Sequence, residues 1–449
     1  MAVVVAFANP AWAQEVTVES VQANLDNVFL MICAVLVFFM QAGFAFVEAG
    51  LTRGKNVGNI MMKNLMDMAI AVVAFGAVGW AFAYGDTVGS FIGGSGWFLS
   101  TGGFDNVTKE VDFFFQVAFA ATAATIVSGA MAERTKFKAY AVYSLVLSAV
   151  IYPIVVHWTW GGGWLSELGY VDFAGSGIVH MTGGVAAAVG AAILGPRIGK
   201  YGPDGKPRAI PGHSMPFAII GCMILFVGWF GFNPGSVLAA DGAAVGVAAL
   251  STAMAAAGGA LAAAAVSWIR GGKPDVAMAG NGLLAGLVAI TAGPDVITTF
   301  GAALVGAVGG VIVVGSVWLF DRVRIDDPVG AVSVHGTVGA WGVLAVGLFA
   351  AEDGLFTGGG FDLLWAQIVG VVAITAFVGV AMTLVFLGIK HTIGLRVSET
   401  EEVEGLDVHE HGYPGYGEAI HVGAAPSGSS PAATGVPAQA PSPSPAVGK

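Results

Sequence analysis

Two histidines lie inside apolar stretches, where neither lipid contact nor helix packing requires an ionisable side chain. His180 and His335 occur in similar local sequences, VHMTG and VHGT. A single buried histidine usually joins neighbouring helices, whereas ionisable groups at matching places in a membrane protein indicate a path for ions or protons. Two neutral imidazoles that face each other can share one proton, with one ring nitrogen donating and the other accepting. We therefore expect a facing pair, neutral or carrying one extra proton, along a narrow path.

A group of aromatic residues is expected near the outer end of the same bundle. Phe115 and Phe119 are four residues apart and share one face of a helix, and Trp160 closes the next apolar stretch on the same side. Aromatic faces can hold a small cation, at about 0.5–2 kcal/mol per contact. Ser236 could add a hydroxyl acceptor, and Phe232 could meet Phe119 as a constriction. The alternative for Trp160 is an anchor at the membrane interface.

Asp172 precedes the apolar stretch that carries His180. As a helix-start residue it would accept backbone N–H bonds, and the alternative is that it attracts cations at a pore entrance. A buried carboxylate suits the first role, and an exposed one suits the second. Glu48, Asn64 and Asp67 are also embedded in apolar stretches, where we expect them to bond neighbouring helices.

The composition indicates that membrane helices position these residues. The chain has 449 residues, of which 56% are hydrophobic and 10% are charged, whereas a soluble domain carries about 25% charged residues. The net charge of −11 comes without the basic patch that nucleic-acid binding needs. Cys33 and Cys222 lie in apolar runs and indicate neither a disulfide framework nor a metal site. With no nucleophile–base spacing typical of an enzyme, the sequence predicts an all-α polytopic membrane protein without a cofactor.

Eleven apolar stretches are long enough to cross a bilayer, which takes about 20 residues. They lie near 27–49, 60–84, 113–132, 139–160, 176–195, 213–232, 243–268, 276–292, 296–320, 329–350 and 362–389. If the N-terminus is outside, only Lys109 of the 18 Lys and Arg residues falls on the outer side. Because cytoplasmic loops are enriched in basic residues, this bias predicts eleven spans with the N-terminus out and the C-terminus in.

The two halves of the bundle repeat each other weakly. The sequence AGFAFVEAG in span 1 resembles GWFGFNPG in span 6, and the two histidine motifs lie in spans 5 and 10. Because five is an odd number, the second unit must have the opposite orientation. We therefore predict an inverted repeat of spans 1–5 and 6–10 plus an eleventh helix, with the substrate path at the interface of the repeats.

With these residues identified, the chain resembles the ammonium transporter (Amt/Mep/Rh) family, and in particular its bacterial Amt-type channels. The resemblance rests on the ordered motifs FQVAFA, ER, WGGG, DFAGSGIVH followed by GG, GWFGFNPGS and VHG. It covers roughly residues 27–420. It implies a transport function, with ammonium as the substrate and methylammonium as an analogue.

The resemblance also implies roles for the residues already singled out. The external ammonium site would consist of Phe115, Phe119, Trp160 and Ser236. Phe119 and Phe232 would form a stacked gate beneath it. His180 and His335 would be the twin-histidine pair of the pore, and Asp172 the essential acidic residue below the entrance.

Five regions follow from the composition and the resemblance together. A signal peptide is predicted over 1–13, ending in an Ala-x-Ala site, although an uncleaved apolar N-terminus is the alternative because a basic n-region is missing. A periplasmic segment, 14–26, leads into the ammonium-channel transmembrane domain, 27–391. A cytoplasmic regulatory region, 392–422, precedes a Pro/Ser/Ala-rich tail, 423–449, whose composition predicts disorder.

The family further implies a homotrimer in the inner membrane, with one pore per subunit. A trimeric PII-type nitrogen-regulatory protein would be able to block the cytoplasmic face. The C-terminal region resembles the family in the sequences GLR, GLD and HG, but it departs at Tyr413-Pro414, where many relatives carry Glu after HG.

The choice between NH4+ and K+ determines the predicted mechanism, because the two ions are similar in charge and size. Moving a bare ion from water into a medium of low dielectric constant costs tens of kcal/mol in an idealised Born calculation. Neutral ammonia avoids this cost. We therefore expect the outer site to gather NH4+, a proton to leave near the gate, and NH3 to pass the histidines and be reprotonated inside. Two alternatives remain open, an ammonium sensor that signals through its tail and a Rhesus-type gas channel.

Overall fold

The computed structural model of the chain describes residues 17–103 and 106–417, and most of these residues are helical. The predicted signal peptide, 1–13, and the predicted tail, 423–449, lie outside the described residues. One compact unit extends to Gly415, and Tyr416 and Gly417 are the described residues of a second unit. The prediction of an all-α protein is confirmed.

The part of the chain that the structure describes contains eleven long apolar helices. They are α1 Val18–Leu51, α2 Gly54–Tyr84, α3 Lys109–Ala130, α4 Phe137–Trp158, α5 Ser176–Leu194, α6 Met215–Val237, α7 Gly242–Gly271, α8 Val276–Ile290, α9 Thr299–Arg322, α10 Val332–Phe349 and α11 Asp362–Thr392. Ten of them are long and apolar enough to span a bilayer. Helix α8 has 15 residues, about 22 Å of rise against a hydrocarbon core of about 30 Å. Ten of the eleven predicted spans are therefore confirmed by length and composition, and the eighth is a shorter, largely buried helix.

Helix α1 begins at Val18, earlier than the predicted span that starts near residue 27. Thr17 and Ser20 form a reciprocal capping box, which satisfies backbone N–H groups at the helix start. Polar residues can therefore extend the helix beyond its apolar part. The predicted segment 14–26 is helical from Val18 onward.

Short elements connect and follow the long helices. Strands β1 Thr87–Val88 and β2 Ile92–Gly93 form an antiparallel hairpin between α2 and α3. A one-turn helix, Trp164–Glu167, lies between α4 and α5. Two short helices, α12 Glu399–Glu404 and α13 Leu406–His411, follow α11.

Glycines allow the helices of the two halves to pack at very short range. A Cβ atom added at Gly221 of α6 would lie 2.5 Å from the backbone nitrogen of Val47 in α1. A Cβ atom added at Gly184 of α5 would lie 2.1 Å from the backbone nitrogen of Gly336 in α10. Small residues permit such contacts between membrane helices. Thus α1 packs against α6 and α5 against α10, the pairing expected if two five-helix units face each other.

Buried charges connect the loops at the inner end, by which we mean the end where α1 finishes and α2 begins. Glu133 pairs with Arg53, and its Oε1 lies 3.3 Å from Nη1 of Arg197. The Arg197 Nε atom lies 2.9 Å from Oδ2 of Asp326. Burial alone would raise the pKa of the Asp326 carboxyl, but the hydrogen bonds of Arg197 and the nearby charge of Arg134 lower it to about 2. The cluster therefore holds its carboxylates ionised.

The segment after α11 packs against this inner end. Arg396 donates to the carbonyl of Pro196 at 2.7 Å and to Oε2 of Glu402 at 2.7 Å. Glu402 in turn accepts from the backbone N–H of Ile198 at 2.7 Å. Asp407 accepts from the backbone N–H of Asn59 at 2.8 Å, in the first turns of α2. The C-terminal segment thus contacts the loops that end both α1 and α5.

Candidate functional site

Each of the two predicted histidines lies in a π-helical turn that opens its helix. The turns are Ser176–Met181 in α5 and Val332–Thr337 in α10, and such widened turns are frequent at functional sites. They lie side by side because Gly184 contacts Gly336.

The structure brings the two imidazoles together in the interior. The Nδ1 atoms of His180 and His335 are 3.2 Å apart, and the ring centroids are 5.2 Å apart at an interplanar angle of 25°. This spacing suits one nitrogen as donor and the other as acceptor, with one hydrogen between them. The side chains are 0% and 4% exposed, so burial favours their neutral forms. Nε2 of His180 is buried without a hydrogen-bond partner in the described part of the chain, so a small molecule in the path could bond there.

A column of stacked rings extends from His180 toward the outer end. His180 stacks on Trp229 at 5.0 Å and on Phe232 at 5.3 Å, with interplanar angles of 18° and 24°. Phe232 in turn lies 4.1 Å from the ring of Phe119. The indole N–H of Trp229 donates to Oγ1 of Thr291 at 2.9 Å, which fixes the ring beside the histidine.

Trp229 and Thr291 were missed by the sequence analysis. Trp229 lies three residues before Phe232 in α6 and so shares its helix face. That spacing was a usable signal, whereas the role of Thr291 depends on a contact between α6 and the end of α8.

The predicted outer aromatic residues also come together. Phe115 and Phe119 are 4.7 Å apart with an angle of 61°, and Phe119 and Trp160 are 6.0 Å apart with an angle of 85°. The two phenylalanines are buried and Trp160 is half-buried. The Trp160 indole N–H donates to the backbone carbonyl of Asp172 at 2.9 Å, so its orientation is set by the start of α5.

Ser236 lies at the outer end of α6, where its hydroxyl donates to the carbonyl of Phe232 at 2.9 Å. The side chain is half-buried. A hydroxyl that donates its hydrogen keeps its lone pairs, so Ser236 remains able to accept a hydrogen bond from a cation. Phe115 contacts the preceding residue, because a Cβ atom added at Gly235 would be 2.9 Å from the Phe115 ring.

Asp172 caps helix α5 from a buried position. Its carboxylate accepts four backbone N–H bonds at 2.8–3.0 Å, from Gly175, Ser176, Gly177 and Ile178. Burial raises the pKa of Asp172 to about 6, although these four donors act to lower it. Of the two alternatives considered for this residue, the geometry favours support of the helix start over attraction of cations from solvent.

Asp327 has the same position relative to His335 and was missed by the sequence analysis. It accepts backbone N–H bonds from Gly330 at 3.0 Å and from Val332 at 2.7 Å at the start of α10. Burial raises its pKa above the ordinary value. The sequences DFAGSGIVH and DPVGAVSVH place each aspartate eight residues before a histidine. That repeat was the signal that could have identified Asp327.

The described residues, 17–103 and 106–417, hold no group of three or more metal-ligating side chains. The chemistry of this site is therefore that of ring faces, imidazoles and capped helix starts. Such a site can bind a small cation at its outer end and conduct a small neutral hydrogen-bonding molecule past the imidazoles.

Comparison with known proteins identifies the relatives of the chain. The family model described as Ammonium Transporter Family matches residues 28–416. Ammonium transporter Amt2 of Archaeoglobus fulgidus is 47% identical over 419 residues, which is 89% of each chain. Putative ammonium transporter sll1017 of Synechocystis sp. is 43% identical, over 90% of this chain and 91% of the relative.

Solved structures share the fold as well. The structure named Sensor Amt Protein aligns with a TM-score of 0.82 at 36% identity, over 88% of this chain and 100% of that one. Mep2 of Candida albicans aligns with a TM-score of 0.78 at 28% identity, over 86% of this chain and 90% of that one.

Proposed function

Because this chain belongs to the ammonium transporter family, we propose that it takes up NH4+ at its outer end, conducts NH3 past the histidine pair and releases NH4+ on the inner side. One observation carries the proposal. Two buried imidazoles, 3.2 Å apart, continue a column of stacked rings inside a helical membrane bundle. This arrangement offers hydrogen bonds to a small neutral molecule and no fixed charge to a passing ion.

The outer site is proposed to consist of Phe115, Phe119, Trp160 and Ser236. Ring faces attract a cation, and each contact is worth about 0.5–2 kcal/mol. The Ser236 hydroxyl accepts one N–H bond, which NH4+ can donate and K+ cannot. These contacts therefore concentrate ammonium at the site, but their summed free energy is smaller than the desolvation cost of moving an ion into the hydrocarbon interior.

The gate is proposed to be the contact between Phe119 and Phe232. Their ring centroids are 4.1 Å apart, so a molecule can pass only if the rings move. A hydrated ion is too large for this step and a bare ion is too costly to desolvate. Transfer of a proton from ammonium to outer water above the gate removes both obstacles, and the histidines then bond the neutral molecule.

A Rhesus-type gas channel is less well supported than an Amt-type channel. The half-buried Trp160 and the Ser236 hydroxyl complete a cation site that a channel for neutral gas does not need. An ammonium sensor is the second candidate function, and one observation favours it. The C-terminal segment contacts the loops at the inner end of the bundle through Arg396 and Asp407, so a change in the bundle can reach it.

Reconstitution in liposomes tests the proposed function. The purified chain, in liposomes on a solid support, should give an ammonium-dependent current or an ammonium-dependent change of internal pH, and K+ at the same concentration should give neither. Methylammonium should compete. A chain that binds ammonium but gives no flux would contradict transport and favour the sensor.

The setting of the protein is proposed from the family resemblance and the charge pattern. The chain would be a homotrimer in the inner membrane, with its N-terminus periplasmic and its C-terminus cytoplasmic. A PII-type regulatory protein would bind the inner face. Native mass measurement in detergent tests the trimer, and copurification with a PII-type protein tests the partner.

A further inference from the structure

A small cavity lies on the inner side of the histidine pair. Its lining includes Phe44, Glu48, Asn281, Val329 and His335. The volume is about 20 Å³, enough for one molecule of the size of water, and therefore of ammonia. The proposed pathway thus has a defined position immediately after His335, and a carboxylate is part of its wall.

Glu48 is held in this wall by two neighbouring helices. Its Oε2 atom accepts from Ser128 Oγ of α3 at 2.7 Å and from Asn64 Nδ2 of α2 at 3.2 Å. The side chain is buried. Both bonds end on the same oxygen, Oε2, and Glu48 lines the cavity beside His335.

A larger cavity of about 500 Å³ adjoins the small one on the side of the inner end. The two cavities share Asn281 and Val329, whose side-chain amide and backbone carbonyl are bonded at 3.1 Å. The larger cavity is also lined by Arg197, Lys200 and Asp327. It is polar and roomy enough to hold water. The small cavity therefore adjoins a compartment that can hold water.

We infer that Glu48 is the proton-transfer residue at the inner end of the path, and that the cavity it lines is a small ammonium site. The inference rests on the proposed function. The lone pair of ammonia takes the hydrogen of the Glu48 carboxylic acid, so that an O–H bond breaks and an N–H bond forms. The resulting ammonium ion pairs with the carboxylate, leaves for the larger cavity, and a proton from inner water returns to Glu48.

Other charged and titratable groups surround this position. Lys63 of α2 is buried, and its Nζ has no hydrogen-bond acceptor among the described residues. Lys63 and Asp327 are the charged neighbours of Glu48, and His335 lines the same cavity.

The test is the replacement Glu48→Gln, which keeps an oxygen that can accept from Asn64 and Ser128 but cannot give up a proton. The matched control is Asp67→Asn. Asp67 is a buried carboxylate of the neighbouring helix α2, where it accepts a hydrogen bond from the Tyr140 hydroxyl, and it does not line the cavity. Uptake of labelled methylammonium into liposomes is measured as internal pH is varied. A positioned proton-transfer group typically contributes 10²–10⁴-fold, and cavity water replaces part of it. We expect E48Q to lower the uptake rate about tenfold or more and to remove its dependence on internal pH.

Glu48→Asp provides the second variant, because it keeps a carboxyl group at the cavity wall and should recover part of the uptake and the pH dependence. If E48Q does not fold, E48D decides: its shorter side chain holds the carboxyl group farther from the path, so uptake should be slower than in the unaltered chain, and an unchanged rate and pH profile overturn the inference. Uptake by E48Q equal to that by D67N at every internal pH overturns it as well, while transport by the unaltered chain still supports the proposed function. If the unaltered chain gives neither uptake nor an ammonium-dependent change of internal pH, the proposed function fails and this inference fails with it.

Discussion

Single residues set the proposed selectivity, because the histidine pair offers hydrogen bonds without a fixed charge. The neutral rings of His180 and His335 face each other at 3.2 Å between Nδ1 atoms. A potassium ion at this position would lose its water and gain no compensating charge. In the proposed mechanism, ammonia loses little on entry and bonds the ring nitrogens. The proposed selectivity thus depends on the absence of a negative charge at the centre of the path.

Replacement of His180 by Glu should therefore weaken the discrimination against K+. A carboxylate about 4 Å from a cation stabilises it by about 4 kcal/mol at an effective dielectric constant of 20, and this attraction offsets part of the desolvation cost. We expect the ratio of ammonium flux to K+ flux in liposomes to fall about tenfold or more, and tenfold corresponds to about 1.4 kcal/mol.

The control for this variant is His391→Gln, which changes an exposed histidine of α11. Its flux ratio should match that of the unaltered chain. Undiminished discrimination in H180E would show that the histidine pair does not exclude K+.

At the scale of elements, two capped helix starts hold the pair in place. Asp172 and Asp327 each accept several backbone N–H groups at the start of a π-helical turn. A helix start leaves N–H groups without intrahelical partners, and the extra residue of a π turn changes the direction of the side chains that follow. The carboxylates therefore fix the turns from which His180 and His335 project.

Asp172→Ala should destabilise the protein by about 1–3 kcal/mol, because it leaves buried N–H groups unsatisfied. Asp172→Asn should cost less, since one oxygen remains to accept. The measurement is the thermal unfolding midpoint in detergent, together with ammonium flux, which should fall in D172A as His180 loses its position.

Asp241→Ala is the matched control, because Asp241 caps α7 through Ala243 and Ala244 but is exposed. An exposed cap of this kind is worth about 0.5–2 kcal/mol, and flux per folded protein should be unchanged. If D172A unfolds no earlier than D241A and transports equally well, Asp172 does not support the histidine turn.

On the scale of the whole molecule, the charged cluster at the inner end joins loops that are far apart in the chain. Asp326 accepts from Arg197 at Nε and at the backbone nitrogen, at 2.9 and 2.8 Å. Arg197 also reaches Glu133, which pairs with Arg53. The cluster therefore ties the ends of α1, α3, α5 and α9 together beneath the larger cavity.

The cluster predicts an acid-dependent loss of stability. The pKa of Asp326 is lowered to about 2 in the folded chain, below the ordinary value of about 3.9. Asp326 therefore contributes about 2 kcal/mol to the free energy of unfolding above about pH 4, and this contribution is lost as the pH falls toward 2. We expect the unfolding midpoint in detergent to fall over this range.

Asp326→Asn isolates this contribution from that of other carboxylates. Removing one partner of a buried pair costs about 3–5 kcal/mol, so the variant should be less stable at neutral pH. Its unfolding midpoint should depend less steeply on pH between about 4 and 2. Equal slopes in the two proteins would refute the role of Asp326 in acid stability.

The class of the protein, its helical pattern and most of the candidate site residues can be read from the amino-acid sequence. Long apolar stretches, basic loops and the paired motifs around His180 and His335 are local features, and they report the membrane environment and the chemistry directly. The predicted outer aromatic residues and the histidine pair lie close together, as expected, while their roles remain proposals. The count of eleven spans differs from the structure at one helix, because α8 is apolar along its length but has only 15 residues.

Which side chains contact each other follows from the packing of the helices in three dimensions. The stacking of Trp229 on His180, the bond from Trp229 to Thr291 and the cavity between Glu48 and His335 join helices that are far apart in sequence. No local pattern specifies such contacts, because they depend on the distances at which helices cross. Those distances are set by glycine contacts such as that of Gly184 with Gly336, where a single added methyl group would separate the helices that hold the two imidazoles.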